Sequence, residues 1–177
     1  MSLVRAEAKE RNALSVELPP DWSAVKTVWE PCRELLRQAG LGSDEAYALA
    51  MVAQELLENA VKYGAPDAGE SIRLSLRVDP EDVTVEVRSR AGLDDAFLRT
   101  LDRTVQWIRS FQDPFEAYVE RLKQVALRPY DPGQSGLGLA RIAYEGRCAL
   151  DFYVDAGSTL AVSAVYRREG GGACPTR

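Results

Sequence analysis

The chain has 177 residues, 46% of them hydrophobic and 28% charged, which suits one soluble domain with one sizeable core. Its net charge of -5 at pH 7 argues against a protein whose main task is binding nucleic acid, because phosphate attraction needs a basic surface. It contains no histidine, which removes a Ser-His-Asp triad, a His-assisted cysteine nucleophile, every His-containing zinc site and a phosphoacceptor histidine.

No apolar run approaches the ~20 residues a membrane helix needs, and the N-terminus lacks the apolar core of a signal peptide. Cys32, Cys148 and Cys174 are an odd set without metal-ligand spacing, so they read as free thiols in a reducing cytoplasm.

Residues 1–12 are charged and mixed and are expected to be a flexible, frayed end. Leu14-Ser15-Val16-Glu17-Leu18 alternates apolar and polar residues and predicts a strand with one buried face, ended by Pro19-Pro20. Asp21 can cap a helix whose apolar side carries Trp22, Val25, Val28, Trp29, Cys32, Leu35 and Leu36, with Pro31 kinking it. Gly40 and Gly42 interrupt the chain. A long helix then runs from Ser43, a plausible N-cap, to a stop at Gly64, with Ala46, Leu49, Ala50, Ala53, Leu57, Ala60 and Val61 as its buried stripe.

Residues 71–78 and 83–88 alternate cleanly around Asp79-Pro80-Glu81-Asp82 and predict a hairpin. Between 94 and 132, Leu101, Ile108, Phe111, Phe115, Tyr118, Leu122 and Val125 recur at helical steps. Asp113-Pro114-Phe115-Glu116 has the residue types of a helix start, so two helices are expected there, broken near Asp113. Their aromatics fit either packing on the chain's own domain or a surface for a homodimer or protein partner. Residues 148–154 and 160–166 predict a last strand pair joined by Asp155-Ala156-Gly157-Ser158, and the glycine-rich end from 168 onward reads as a flexible tail. Strands in sequence-adjacent pairs with helices between them imply an α+β fold, a two-layer sandwich with helices on one face of a mixed, largely antiparallel sheet. The domain is expected to span 13–167, with a helical insertion at about 94–132.

Two stretches carry chemistry. In Gln54-Glu55-Leu56-Leu57-Glu58-Asn59-Ala60-Val61-Lys62-Tyr63-Gly64, Glu55 and Asn59 are four apart and Lys62 follows three later, so a carboxylate, an amide and an ammonium share one helix edge. Such residues are often only the wet side of a helix. The second stretch, Gly133-Gln134-Ser135-Gly136-Leu137-Gly138-Leu139, packs three glycines into six residues ahead of a helical pattern. Free N–H groups and the positive end of a helix dipole there suit an anion such as phosphate.

Together, in this order, the stretches resemble the histidine-kinase-like ATPase (GHKL or Bergerat) fold. Glu-Leu-Leu-Glu-Asn-Ala-Val-Lys-Tyr-Gly is similar to its N-box and Gly-Gln-Ser-Gly-Leu-Gly-Leu to its second glycine box. The short chain, with nothing ahead of the ATPase-like unit, looks most like the anti-sigma-factor serine kinases of bacterial partner switches. The resemblance implies ATP and Mg²⁺ as ligands. It implies Glu55 as general base, Asn59 as Mg²⁺ ligand through its amide oxygen, and Lys62 with Ser135, Gly136, Leu137, Gly138 and Leu139 at the phosphates. It also implies a sigma factor or an antagonist protein as partner.

The match is uneven. The family's first glycine box carries an Asp that bonds the amine of adenine; here Ser89 or Arg90 stands in its place and only Gly92 remains, unless a register shift brings in Asp94 or Asp95. A site loses discrimination when such a partner goes. A later Gly-Thr element is matched by Gly157-Ser158-Thr159, which makes Thr159 a nucleotide-binding candidate. Two functions remain open: an ATP-dependent protein serine kinase, and a catalytically inactive GHKL-derived module that binds protein with little or no nucleotide.

Overall fold

The computed structural model describes residues 5–10, 12–63, 70–90, 95–127 and 136–168. Among them six strands form one sheet: β1 (Arg5–Glu10), β2 (Ala13–Leu18), β3 (Ile72–Val78), β4 (Asp82–Arg90), β5 (Cys148–Val154) and β6 (Thr159–Arg167). The order is β1-β2-β3-β4-β6-β5, and every described pairing is antiparallel. The alternation in the sequence sets which face is buried. Ile72, Leu74, Leu76 and Val78 of β3 and Val83, Val85 and Val87 of β4 point into the core, while Arg73, Arg77 and Thr84 point away. On the outer face Arg73 stands opposite Glu17 in register and bonds it at 2.5 Å.

The helices cover the inner face: α1 (Trp22–Val25), a 3₁₀ turn (Lys26–Val28), α2 (Trp29–Gln38), α3 (Ser43–Tyr63), α4 (Asp95–Arg109), α5 (Pro114–Ala126) and α6 (Gly138–Tyr144). The 21-residue α3 buries Leu49, Val52, Ala53, Leu56 and Leu57 against the strands. This is the expected two-layer α+β sandwich. Among the described residues, no helix is long and apolar enough to cross a membrane.

Three local expectations change. The stretch expected to be frayed contains β1, which pairs with β2 from Arg5↔Glu17 to Glu10↔Ala13. Charges at every second residue hid it, yet charged residues are what an edge strand carries to discourage pairing with other chains. Pro31 does not kink a helix. The 3₁₀ turn ends the first segment, so Pro31 lies in the first turn of α2, where its missing N–H costs no helical bond. Ser43 is the first helical residue rather than the cap: the Gly42 N–H donates to Glu45 Oε2 at 2.9 Å. Glu45 also accepts from the Tyr166 hydroxyl, and these two bonds, the tyrosine's first, hold its carboxyl below its ordinary value. The expected stop at Gly64 and the tail from 169 lie outside the described residues.

The helices of the 94–132 segment break where the sequence placed the break. Asp113 caps α5, accepting from the Phe115 N–H at 2.8 Å, with Pro114 at the first position. Replacing Asp113 with alanine is expected to lower stability by about 1 kcal/mol, read as a lower urea midpoint with an unchanged slope. The two helices play different parts. Helix α4 buries Leu101, Val105 and Ile108 in the core, whereas α5 buries only Ala117 and leans on α6 through Tyr118 stacked on Tyr144 at 5.2 Å. Cys32 and Cys148 are free and buried, and burial pushes both thiols up to about 12, which leaves them inert at neutral pH. Cys174 lies outside the described residues.

Candidate functional site

Helix α3 delivers Asn59 to a cavity of about 510 Å³ between α3, α4, the inner ends of β4 and β6, and the turn that opens α6. That volume is within the range of small-molecule sites. Its floor and walls are apolar: Leu56, Phe97, Val87, Leu139, Leu160 and Val162. The polar groups that line it include Asn59, Ser89, Thr100, Thr104 and the guanidinium-bearing Arg90 and Arg121. No carboxylate lines it among the described residues. An apolar slot with two arginines and no acid suits a ligand that is flat at one end and anionic at the other.

The two sequence stretches meet at Gly138. A Cβ there would lie 2.6 Å from Glu55 Oε2 and 3.7 Å from Asn59 Nδ2, so a side chain at this position would displace the Glu55 carboxylate where the turn packs on α3. Asn59 Nδ2 is buried without a hydrogen-bond partner among the described residues. An unpaired buried amide is costly, and a ligand at this point would satisfy it. Gly136, two residues earlier in the turn, has φ +62°, a conformation that favours glycine, and its carbonyl accepts from Arg121 Nε at 2.8 Å.

Glu55 does not line this cavity. It lines a separate groove of about 380 Å³ with Trp29, Tyr47, Met51, Gln54, Glu58 and Arg141. Its side chain is only 15% exposed, and Arg141 Nη1 bonds its Oε1 at 2.5 Å. Arg141 is shared with Glu145, 2.9 Å from its Nε. Burial raises the Glu55 carboxyl above its ordinary value; the Arg141 charge opposes that rise, and Glu58 adds to it. Gly138 lies beside both side chains, and Glu55 lines the groove while Asn59 lines the cavity.

The remaining candidates divide. Gly136 and Leu139 line the cavity with Asn59, while Gly138 packs behind it and half-buried Leu137 sits at the start of α6 outside its wall. Lys62 does not reach it; its ammonium lies over the ring of Tyr63, 5.2 Å from the centroid. Thr159 pairs with Arg90 at the beginning of β6 and does not line it. Gly92, Asp94 and Ser135 lie outside the described residues, as does the side chain of Asp95. Between Ser89 and Arg90, strand alternation decides: Ser89 continues the inward row of Val83, Val85 and Val87 and is buried at the cavity, whereas Arg90 starts on the other face and pairs with Glu70. Helix α6 has seven residues, so its dipole is weaker than the sequence implied. Arg121, on α5, had no motif to mark it.

No curated protein sequence matches the chain. Among solved structures, a chain from the crystal structure of the SiaB-SiaC complex from Pseudomonas aeruginosa is similar, with a TM-score of 0.67, 20% sequence identity, and coverage of 89% of this chain and 91% of that one. At that identity the likeness is one of fold. The sequence pattern of the family described as "Histidine kinase-like ATPase domain" matches residues 18–143, a span from β2 through the N-box helix α3 and the glycine turn to α6. The match covers well over half of the chain, which therefore belongs to the histidine kinase-like ATPase domain family.

Proposed function

We propose that the chain is an ATP-binding regulator of the partner-switch type, which binds a protein partner and phosphorylates it. The observation that carries the nucleotide part is the junction at Gly138, where the turn closes on α3 beside Asn59, a cavity-lining residue whose Nδ2 is buried without a hydrogen-bond partner among the described residues. The apolar walls suit a base, with Ser89 supplying a hydroxyl where relatives carry an acid. The amide oxygen of Asn59 suits Mg²⁺, which takes oxygen ligands and is often held by one or two side chains plus phosphate oxygens and waters, while the unpaired Nδ2–H suits an acceptor such as a phosphate oxygen. Bound Mg²⁺ would neutralise charge on the phosphates.

Glu55 is the proposed base. It would accept the proton of a partner's serine hydroxyl as the new oxygen–phosphorus bond forms and ADP leaves. A protein partner is supported by the fold shared with a chain of a two-protein complex, and a cytoplasmic setting fits buried, unpaired thiols. A sigma factor or an antagonist protein is the partner class this reading favours. One observation favours a second reading, a binding module without turnover: Glu55 is held by Arg141 and lines the groove rather than the cavity.

Calorimetry tests the nucleotide part. The parent is expected to release or absorb heat on titration with ATP and Mg²⁺, and Asn59→Ala to bind about 10- to 100-fold more weakly, the scale of a lost contact to a charged ligand. No heat from the parent at millimolar nucleotide would remove ATP from the assignment.

A further inference from the structure

Strand β4 reaches the cavity with Ser89, which is 8% exposed and follows Val87 on the inward row. It pairs with Leu160 of β6, another residue of the lining. Three aliphatic hydroxyls line the cavity: those of Ser89, Thr100 and Thr104. The two threonines spend their protons on their own helix, Thr100 on the Ala96 carbonyl and Thr104 on the Thr100 carbonyl, each at 2.8 Å. Among the described residues, none accepts the Ser89 proton, so this hydroxyl keeps both its donor and its acceptor capacity for a ligand. The rings of Tyr63 and Phe97, stacked with centroids 5.0 Å apart, belong to the same lining.

We infer that Ser89 makes the site tolerant of either purine, so that guanosine and adenosine triphosphates bind with similar affinity. The inference rests on the nucleotide reading of the cavity and names the range of bases that the cavity takes. Stacking and apolar contact do not tell bases apart, because every base has a π-face. Discrimination therefore falls to the polar edge. Adenine offers an exocyclic amine, a donor, where guanine offers a carbonyl oxygen, an acceptor. A carboxylate only accepts, so it would favour the amine and repel the carbonyl oxygen, but no carboxylate lines the cavity among the described residues. A hydroxyl accepts from the amine and, after rotating, donates to the carbonyl oxygen. A site rejects a ligand strongly when that ligand leaves a buried polar group unpaired, and either purine pairs Ser89.

Calorimetry with ATP and with GTP, each with Mg²⁺, tests this on the parent, Ser89→Ala and Ser89→Asp. The parent is expected to bind the two within about fivefold of each other. Ser89→Ala should bind both about 2- to 10-fold more weakly, the scale of one neutral hydrogen bond, and keep their ratio. Ser89→Asp should bind ATP at least about 10-fold more tightly than GTP, because its carboxylate faces the guanine oxygen. A parent ratio beyond the expected range would overturn the inference. So would a Ser89→Ala variant that keeps the parent's thermal midpoint and both affinities, or a folded Ser89→Asp variant that keeps the parent ratio. Should Ser89→Asp fail to fold, the parent ratio and Ser89→Ala still decide. In each of those outcomes the cavity remains a nucleotide site. If the parent binds neither nucleotide, the reading of the cavity itself fails and takes this inference with it.

Discussion

Replacing Glu55 with glutamine is expected to slow phosphate transfer to a protein hydroxyl by about 10²- to 10⁴-fold, the usual contribution of a positioned general base. ATP affinity should change little, because Glu55 lines the groove and not the cavity. The assay is incorporation of labelled phosphate from ATP into a candidate antagonist protein, parent against variant. Equal incorporation by both would remove Glu55 from the mechanism, and none from either would leave the binding-module reading. The pH dependence has a definite sign. A base works ionised, and burial holds the Glu55 carboxyl above the ordinary range. The rate should therefore rise with pH through a limb lying above the ~4.3 of a free glutamate. Stability runs the opposite way. The folded state holds this proton more tightly than the unfolded chain does, so the contribution of Glu55 to stability falls as pH rises from the ordinary value through the raised one. The stability difference, parent minus Glu55→Gln, should decrease across that window in urea titrations.

Gly146→Ala is expected to destabilise the fold by about 2–3 kcal/mol, lowering Tm by about 4–12 °C for a domain of this size. Gly146 is buried between α6 and β5, and an added Cβ would collide with Val52 Cγ2 and lie 2.6 Å from the Ile142 carbonyl oxygen. The collision is with backbone on one side and with the core of α3 on the other, so neither neighbour can move without shifting its element. The smaller unfolded-state entropy of alanine offsets the loss by less than about 1 kcal/mol. A thermal midpoint within about 1 °C of the parent would show that α6 can slide away from α3. In that case nucleotide affinity should fall with it, since the same helix carries Gly138 against Asn59.

Gly146 also shows where sequence reading stopped. It sits in a loop-like Glu145-Gly146-Arg147 and carries no motif, and its need for a bare Cα arises only from Val52, far away in the chain. Lys62 is the opposite case. Helical spacing put it on an edge with Asn59, but its ammonium rests over the ring of Tyr63, and Tyr63 rather than Lys62 lines the cavity. Glu55 and Asn59 are four residues apart, an offset of about 40° around the helix and about 6 Å along it. That is near enough to read as one face and far enough for the two side chains to line different spaces. Arg121 was invisible because an amphipathic helix is expected to carry arginines, and only the position of α5 beside the turn distinguishes this one.

From the order of its residues alone the chain revealed its hairpins, the long central helix, the break at Asp113, the two stretches that meet at the site and the family they resemble. Each of these is recorded locally, as a period of two or of 3.6, a cap or a glycine cluster, because apolar residues must recur on whichever side of an element is buried. The tertiary structure alone decided that Glu55 and Asn59 open to different spaces, that Lys62 does not line the cavity and that Arg121 does. Those outcomes depend on which distant elements touch along a buried face, and close packing of many side chains settles that, which no local repeat records.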